Sequence, residues 1–199
     1  MNNKNMINSF DDIYKKNIWT TGSSGSGSNY TKRQYKLIQE INDFIKSNNI
    51  ITVADYGCGD FNIMQHLDFK NIKYTGIDTV QKVITENKQY EDDNIKFIKT
   101  EETPKGFDLV IVKDVLQHHQ DEDVIKYLNE LINNNKYVYC INGYKFMRDP
   151  DKNNLDVRNI NNRYRYHPLH SIKGPLLQFK KYEKSKYTYY AKEYIIYQK

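Results

Sequence analysis

At 199 residues the chain is long enough to bury the core of one α/β domain and short for two. Its 30 basic and 25 acidic residues are interleaved, so the net charge of +5 describes a mildly basic face and not the basic block of a dedicated nucleic-acid binder. The two cysteines, Cys58 and Cys140, sit in apolar segments without metal-ligand spacing, and no stretch nears the roughly 18 apolar residues of a membrane span. These features argue against a disulfide scaffold, a metal site and a membrane partner, and they predict a cytoplasmic protein.

Residues 1–30 show no clear periodicity and run into Thr21-Gly22-Ser23-Ser24-Gly25-Ser26-Gly27-Ser28, which has the composition of a flexible linker. From Thr31 the pattern changes. Leu37, Ile38, Ile41, Phe44 and Ile45 recur at helical spacing, with Thr31 available as N-cap and Ser47-Asn48-Asn49 as a stop. Ile50 to Ala54 is a short β-branched run of the kind buried in a parallel sheet; it ends at Asp55 and a glycine turn. A short helix is expected over Phe61 to Leu67.

The alternation then repeats. Ile72 to Ile77 reads as a strand ending at Asp78, Val80 to Asn87 as a helix, Ile95 to Ile98 as a third strand and Phe107 to Val112 as a fourth. Val124, Tyr127, Leu128 and Leu131 mark a helix opened by the acidic group Asp121 to Asp123, which complements its dipole, and Tyr137 to Ile141 is a fifth strand. Strands alternating with helices predict a parallel sheet with helices on both faces and ligands at the carboxyl ends of the strands. Gly143 to Pro175 carries no convincing element, and so long a connection is a functional loop or a disordered insert. Leu177 to Tyr182 and Tyr187 to Tyr197 are expected to close the fold as an antiparallel hairpin.

The chemistry concentrates after the first strand. Gly57 and Gly59 permit a tight turn and a close backbone approach to a ligand. Asp78, about 20 residues on at the end of the second strand, is placed to accept hydrogen bonds from the ribose hydroxyls of an adenosine. A dinucleotide site wants a third glycine at position 62, where this chain has Asn62, whereas Asp55 and Asp60 complement a cationic cofactor tail. Charge and pattern together favour S-adenosylmethionine (SAM) over a nicotinamide dinucleotide, whose dehydrogenase remains a competing reading.

On the segments Val53-Ala54-Asp55-Tyr56-Gly57-Cys58-Gly59-Asp60, Tyr74-Thr75-Gly76-Ile77-Asp78 and Phe107 through His118, the sequence resembles class I SAM-dependent methyltransferases. The resemblance covers residues 18–142 well and the rest loosely. It extends to a subgroup of phages and large viruses that places a Trp and a Gly/Ser loop ahead of the first helix, which would make the compartment a host cytoplasm. It implies a Rossmann-like fold: a mostly parallel seven-stranded sheet with an antiparallel C-terminal strand and helices on both faces. Residues 1–30 would be an N-terminal arm in which Trp19, Gly27 and Ser28 cover the cofactor, and residues 31–199 a single SAM-binding domain.

In that resemblance Gly57, Cys58 and Gly59 lie against the methionine part of SAM, Asp78 with Thr79 beside it holds the ribose, and Glu101 lies near the adenine amine. Asp55 beside the turn, and Lys113 and Asp114 at the end of strand four, are also expected to contact the cofactor. Methyl transfer by in-line displacement needs a positioned nucleophile and, for a hydroxyl, a base. His118 or Asp114 could be that base; alternatively His118 and His119 pack the following helix. Residues 143–175, with Arg148, Arg163, Arg165 and several Tyr and His, form the expected substrate loop, although Tyr166-His167-Pro168-Leu169-His170 departs from the family's Tyr-Arg-Pro-Leu-Asp-like stretch.

The sequence thus predicts a methyltransferase that uses SAM, releases S-adenosylhomocysteine (SAH) and acts on an oxygen or nitrogen of a small-molecule acceptor such as a sugar or glycan precursor. Two alternatives stand beside it. One is a nucleic-acid (RNA cap or base) methyltransferase, against which no Asn-Pro-Pro-Tyr-like segment follows strand four. The other is a SAM-fold interaction subunit that has lost its chemistry.

Overall fold

Thr52–Tyr56 (β1) is buried from Val53 onward, as a β-branched run covered on both faces must be, and it pairs in parallel with Lys73–Asp78 (β2). The computed structural model describes residues 4–15, 24–25, 28–119, 121–145, 178–184 and 190–199. These fall into two compact units, 1–102 and 103–199.

In the first unit, β1 and β2 are joined by Ile95–Lys99 (β3) in the order β3-β2-β1, all parallel. Lys4–Lys15 (α1) precedes Lys32–Ser47 (α2), and Gln81–Asn87 (α3) links β2 to β3. The inward stripe of α2 is Gln34, Leu37, Ile38, Ile41 and Ile45, the periodicity the sequence carries. Thr31 has the extended backbone of an N-cap, but its hydroxyl donates to the Gln34 side chain and not to a backbone N–H.

Two expectations for this unit fail. Residues 4–15, read as aperiodic, form α1, with Ile13 buried. The helix expected over Phe61 to Leu67 is only a 3-10 turn at Met64–His66, and Phe61 itself takes φ +58°, a left-handed conformation outside any α-helix. Phe61 instead anchors an aromatic cluster, with ring centroids 5.0 Å from Phe97, 5.3 Å from Tyr74 and 5.5 Å from Tyr90.

In the second unit Leu109–Lys113 (β4), buried over its first four residues, pairs in parallel with Tyr137–Lys145 (β5), and Asp121–Asn134 (α4) connects them. Gln178–Lys184 (β6) and Tyr190–Gln198 (β7) form the expected antiparallel pair. β7 also runs antiparallel to β5, giving the order β4-β5-β7-β6. β5 is four residues longer than predicted, so Gly143 to Lys145 belong to a strand and not to the loop. The rest of that segment, including Arg148 and residues 163–170, lies outside the described residues. The seven strands among the described residues, mostly parallel with an antiparallel C-terminal strand, match the expected class. No helix among the described residues is long and apolar enough to cross a membrane.

Candidate functional site

The turn after β1 is held open by backbone geometry that glycine tolerates and other residues resist. Gly57 has φ +81° and Gly59 φ +54°. The N–H groups of Gly57 and Cys58 both donate to the Ile77 carbonyl, at 2.8 and 2.9 Å, which ties the turn to the end of β2. There Asp78 acts on two sides. Its Oδ2 accepts the Gly59 N–H at 3.1 Å and its Oδ1 the Val80 N–H at 3.0 Å, so one carboxylate braces both the glycine turn and the backbone that leads into α3. Burial pushes the Asp78 carboxyl above its ordinary value, and the backbone donors of Val80, Gly59 and Thr79 offset part of that. A desolvated carboxylate beside a glycine turn is suited to accept hydroxyl donors.

Asp55, near the end of β1 and beside the turn, lies inside the sheet. It is 2% exposed, and its Oδ2 accepts the Tyr74 hydroxyl at 2.7 Å. Its carboxylate is thereby engaged in bracing β1 against β2. Cys58 is buried, and burial raises its thiol well above the usual range. Sequence reasoning missed Asn87, which is buried in the last turn of α3 and donates to the Gly59 carbonyl at 2.7 Å. Its sequence signal is an amide on the inward face of a short helix. Thr79 follows Asp78 directly, and Glu101 is exposed just beyond β3.

The N-terminal arm reaches this turn. Ser24 and Asp60 bond reciprocally: the Asp60 N–H donates to Ser24 Oγ at 2.8 Å, and the Ser24 N–H donates to Asp60 Oδ2 at 3.1 Å. Ser24 Oγ also shares a 2.6 Å hydrogen bond with the Tyr14 hydroxyl of α1. Ser28 is buried, and its carbonyl accepts the Asn62 side-chain amide at 2.7 Å. A Cβ on Gly59 would stand 2.5 Å from Ser24 Oγ, so the missing side chain is what lets the arm sit on the turn. Trp19 and Gly27 lie outside the described residues.

In the second unit the end of β4 carries a buried charge cluster. Asp114, at φ +58°, receives two ammonium groups on one oxygen, Lys113 Nζ at 2.6 Å and Lys192 Nζ at 2.7 Å. The two lysines hold its carboxyl far below the usual carboxylate range against the cost of burial. Its buried Oδ1 has no hydrogen-bond partner among the described residues. Lys192 was not foreseen; the pairing of β7 with β5 sets it opposite Gly143.

His118 ends a 3-10 turn, Leu116–His118, that is pinned by the Gln117 N–H donating to the buried Asn142 side chain at 2.9 Å. Burial pushes the His118 imidazole down to about 4, opposed by the nearby Asp114 charge. At neutral pH the ring is therefore uncharged and able to take a proton. His119 packs edge-on against Tyr127 of α4 with ring centroids 4.9 Å apart, the structural role weighed for it above.

No family model and no curated protein matches the sequence. Solved structures do. Magnesium protoporphyrin IX methyltransferase (ChlM) from Synechocystis PCC 6803, with bound SAM, superposes with a TM-score of 0.67 over 100% of this chain and 98% of its own, at 13% identity. The N-terminal domain of EvdMO1 with SAH bound gives 0.61 at 11% identity, covering 81% of this chain and 80% of that one. The mitomycin 7-O-methyltransferase MmcR gives 0.54 at 16% identity, over 81% of this chain and 54% of that one. Taken with the strand orders and the glycine turn, these likenesses establish that the chain has the Rossmann-like fold of class I SAM-dependent methyltransferases.

Proposed function

We propose that this protein is a SAM-dependent methyltransferase acting on an oxygen or nitrogen of a small-molecule acceptor. The observation that carries the reading is the Gly57–Asp60 turn braced by the Asp78 carboxylate through the Gly59 N–H. The residues present fit the cofactor: two positive-φ glycines leave the backbone approachable, and Asp78 offers a desolvated carboxylate to paired hydroxyls. SAM, when bound, supplies an electrophilic methyl group on a sulfonium sulfur.

In this reading Gly57, Cys58, Gly59, Asp78 and Thr79 hold the cofactor, with Glu101 toward its adenine and the arm residues Trp19, Gly27 and Ser28 as a cover. Asp55 supports the turn from within the sheet. In the second unit His118 is the base: its ring is uncharged at neutral pH and takes the acceptor proton at a ring nitrogen, with a basicity that burial reduces below that of an ordinary imidazole. Asp114 is held ionised by Lys113 and Lys192, which makes it a weak base and a strong orienting acceptor for an O–H or N–H donor at Oδ1.

Incubation with methyl-labelled SAM and two panels of acceptors tests this, one of sugars, phenols and amines and one of capped and uncapped RNA oligomers. Label in a small molecule is the expected result. Label only in RNA would replace the acceptor class, and label in neither panel despite SAH binding would favour an inactive SAM-fold subunit.

A further inference from the structure

Among the described residues, one side chain of α1 reaches the glycine turn through a relay that no sequence motif marks. The Tyr14 hydroxyl bonds Ser24 Oγ at 2.6 Å, Ser24 Oγ accepts the Asp60 N–H at 2.8 Å, and the Ser24 N–H returns to Asp60 Oδ2 at 3.1 Å. Asp60 Oδ1 in turn accepts the Asn62 N–H at 3.2 Å, and the Asn62 amide reaches the Ser28 carbonyl at 2.7 Å. Four consecutive links thus run from α1 to Ser28 at the far end of the Gly/Ser segment, the last three passing through Asp60 and Asn62, which follow Gly59.

The geometry leaves no slack at Gly59. An added Cβ would lie 2.5 Å from Ser24 Oγ and 3.7 Å from the Tyr14 hydroxyl oxygen, so both oxygens stand over the turn. The surroundings also fix the state of Tyr14. Burial and then the Asp78 carboxylate push its hydroxyl upward, the Ser24 hydrogen bond opposes them, and Asp60 and Cys58 from the turn add smaller upward contributions. The phenol stays protonated and remains available as a donor across the working pH range.

We infer that Tyr14 is a positioning residue of the cofactor site, acting through Ser24 to fix the Gly59–Asp60 backbone and the arm in the conformation that receives SAM. This rests on the glycine turn being the cofactor site. A phenol is suited to the task because its long rigid ring spans from the helix to the turn at the cost of only two torsions, and its oxygen can both give and accept. With the relay intact, the turn reaches the cofactor already shaped, so ligand binding does not bear the cost of ordering it.

The test is SAH titration by calorimetry on the full chain, with Tyr14→Phe, Ser24→Ala and the double variant, and with Tyr35→Phe on the exposed face of α2 as control. Tyr14→Phe is expected to weaken SAH binding about two- to tenfold, the range one neutral hydrogen bond supplies. Ser24→Ala, which also removes the acceptor of the Asp60 N–H, should cost at least as much, and the double variant should bind no more weakly than Ser24→Ala, because Tyr14 acts only through Ser24. Thermal melting without ligand separates positioning from simple stability.

Variants that melt lower yet bind SAH with the wild-type constant would overturn the inference, as would fully additive losses in the double variant. If Tyr14→Phe fails to fold, Ser24→Ala decides alone: unchanged affinity refutes the relay, and the stated loss supports it. Failure of the wild-type chain to bind SAH is a different result, which removes the cofactor reading itself and the inference with it.

Discussion

Replacing Lys192 by methionine keeps the aliphatic stem and deletes the ammonium that sits 2.7 Å from Asp114 Oδ2. The pair is inside the protein, with side-chain exposures of 7% and 19%. A hydrogen bond to a charged partner contributes about 1.5–3 kcal/mol, and removing a buried ammonium also relieves its own desolvation. Lys113 remains 2.6 Å away, so Asp114 is not stranded. The net loss is expected to be about 1–3 kcal/mol, which for a chain of this size lowers Tm by roughly 2–10 °C.

The pH dependence makes this prediction sharper. Because the lysines hold the folded Asp114 carboxyl below its unfolded value, its contribution is present above the unfolded pKa and is lost as pH falls through the acid range. Lys192→Met should therefore show its full deficit near neutrality, and the gap should begin to narrow only once the pH falls below the unfolded carboxylate value of about 4. Urea unfolding of both proteins at a series of pH values measures the gap. A gap that does not change with pH, or a variant as stable as the wild type, would refute the assignment of Lys192 to Asp114.

Three further outcomes follow from named contacts. Gly76→Ala would place a Cβ 2.5 Å from the Phe97 ring and 3.2 Å from Cys58 Sγ; a loss of about 1–3 kcal/mol in denaturant unfolding is expected from this overpacking. His118→Gln should lower the methyl-transfer rate to a hydroxyl acceptor by about 10²- to 10⁴-fold while leaving SAH affinity unchanged, as measured by kinetics and calorimetry side by side. The wild-type rate should persist well below pH 6.5, falling only as the ring protonates near about 4, and an acid limb at the ordinary imidazole value would contradict the buried setting of His118.

The parts of the site legible in the sequence are those where backbone conformation restricts the residue type. Gly57 and Gly59 stand at positive φ, and Asp78 follows them at the spacing that the βαβ geometry sets, so all three announce themselves. Lys192 does not, because its nearness to Asp114 comes from the pairing of β7 with β5, a contact between residues 78 apart. The partner of Asp55 was hidden in the same way: its place beside the turn is legible, but the Tyr74 hydroxyl that engages it lies on the neighbouring strand.

Helix α1 was legible and was passed over: Met6, Ile7, Phe10, Ile13 and Tyr14 recur at helical spacing, a pattern that outweighs the low propensity of its Asn, Asp and Ser residues. The helix expected after the turn is a three-residue 3-10 turn, and the left-handed backbone of Phe61 before it is one that no local propensity reveals. With 18 tyrosines in the chain, neither Tyr14 nor Tyr74 could be singled out by type; each acquires its role from one hydroxyl contact.

The most direct test of the account is parallel titration of the full chain with SAH and with NAD, repeated for Asp78→Asn. SAH should bind, NAD should not, and the substitution should weaken SAH about 10- to 100-fold, as loss of hydrogen bonds to a charged acceptor predicts. Binding of NAD, absence of SAH binding, or an Asp78→Asn protein that binds SAH like the wild type would contradict the assignment of the glycine turn to SAM.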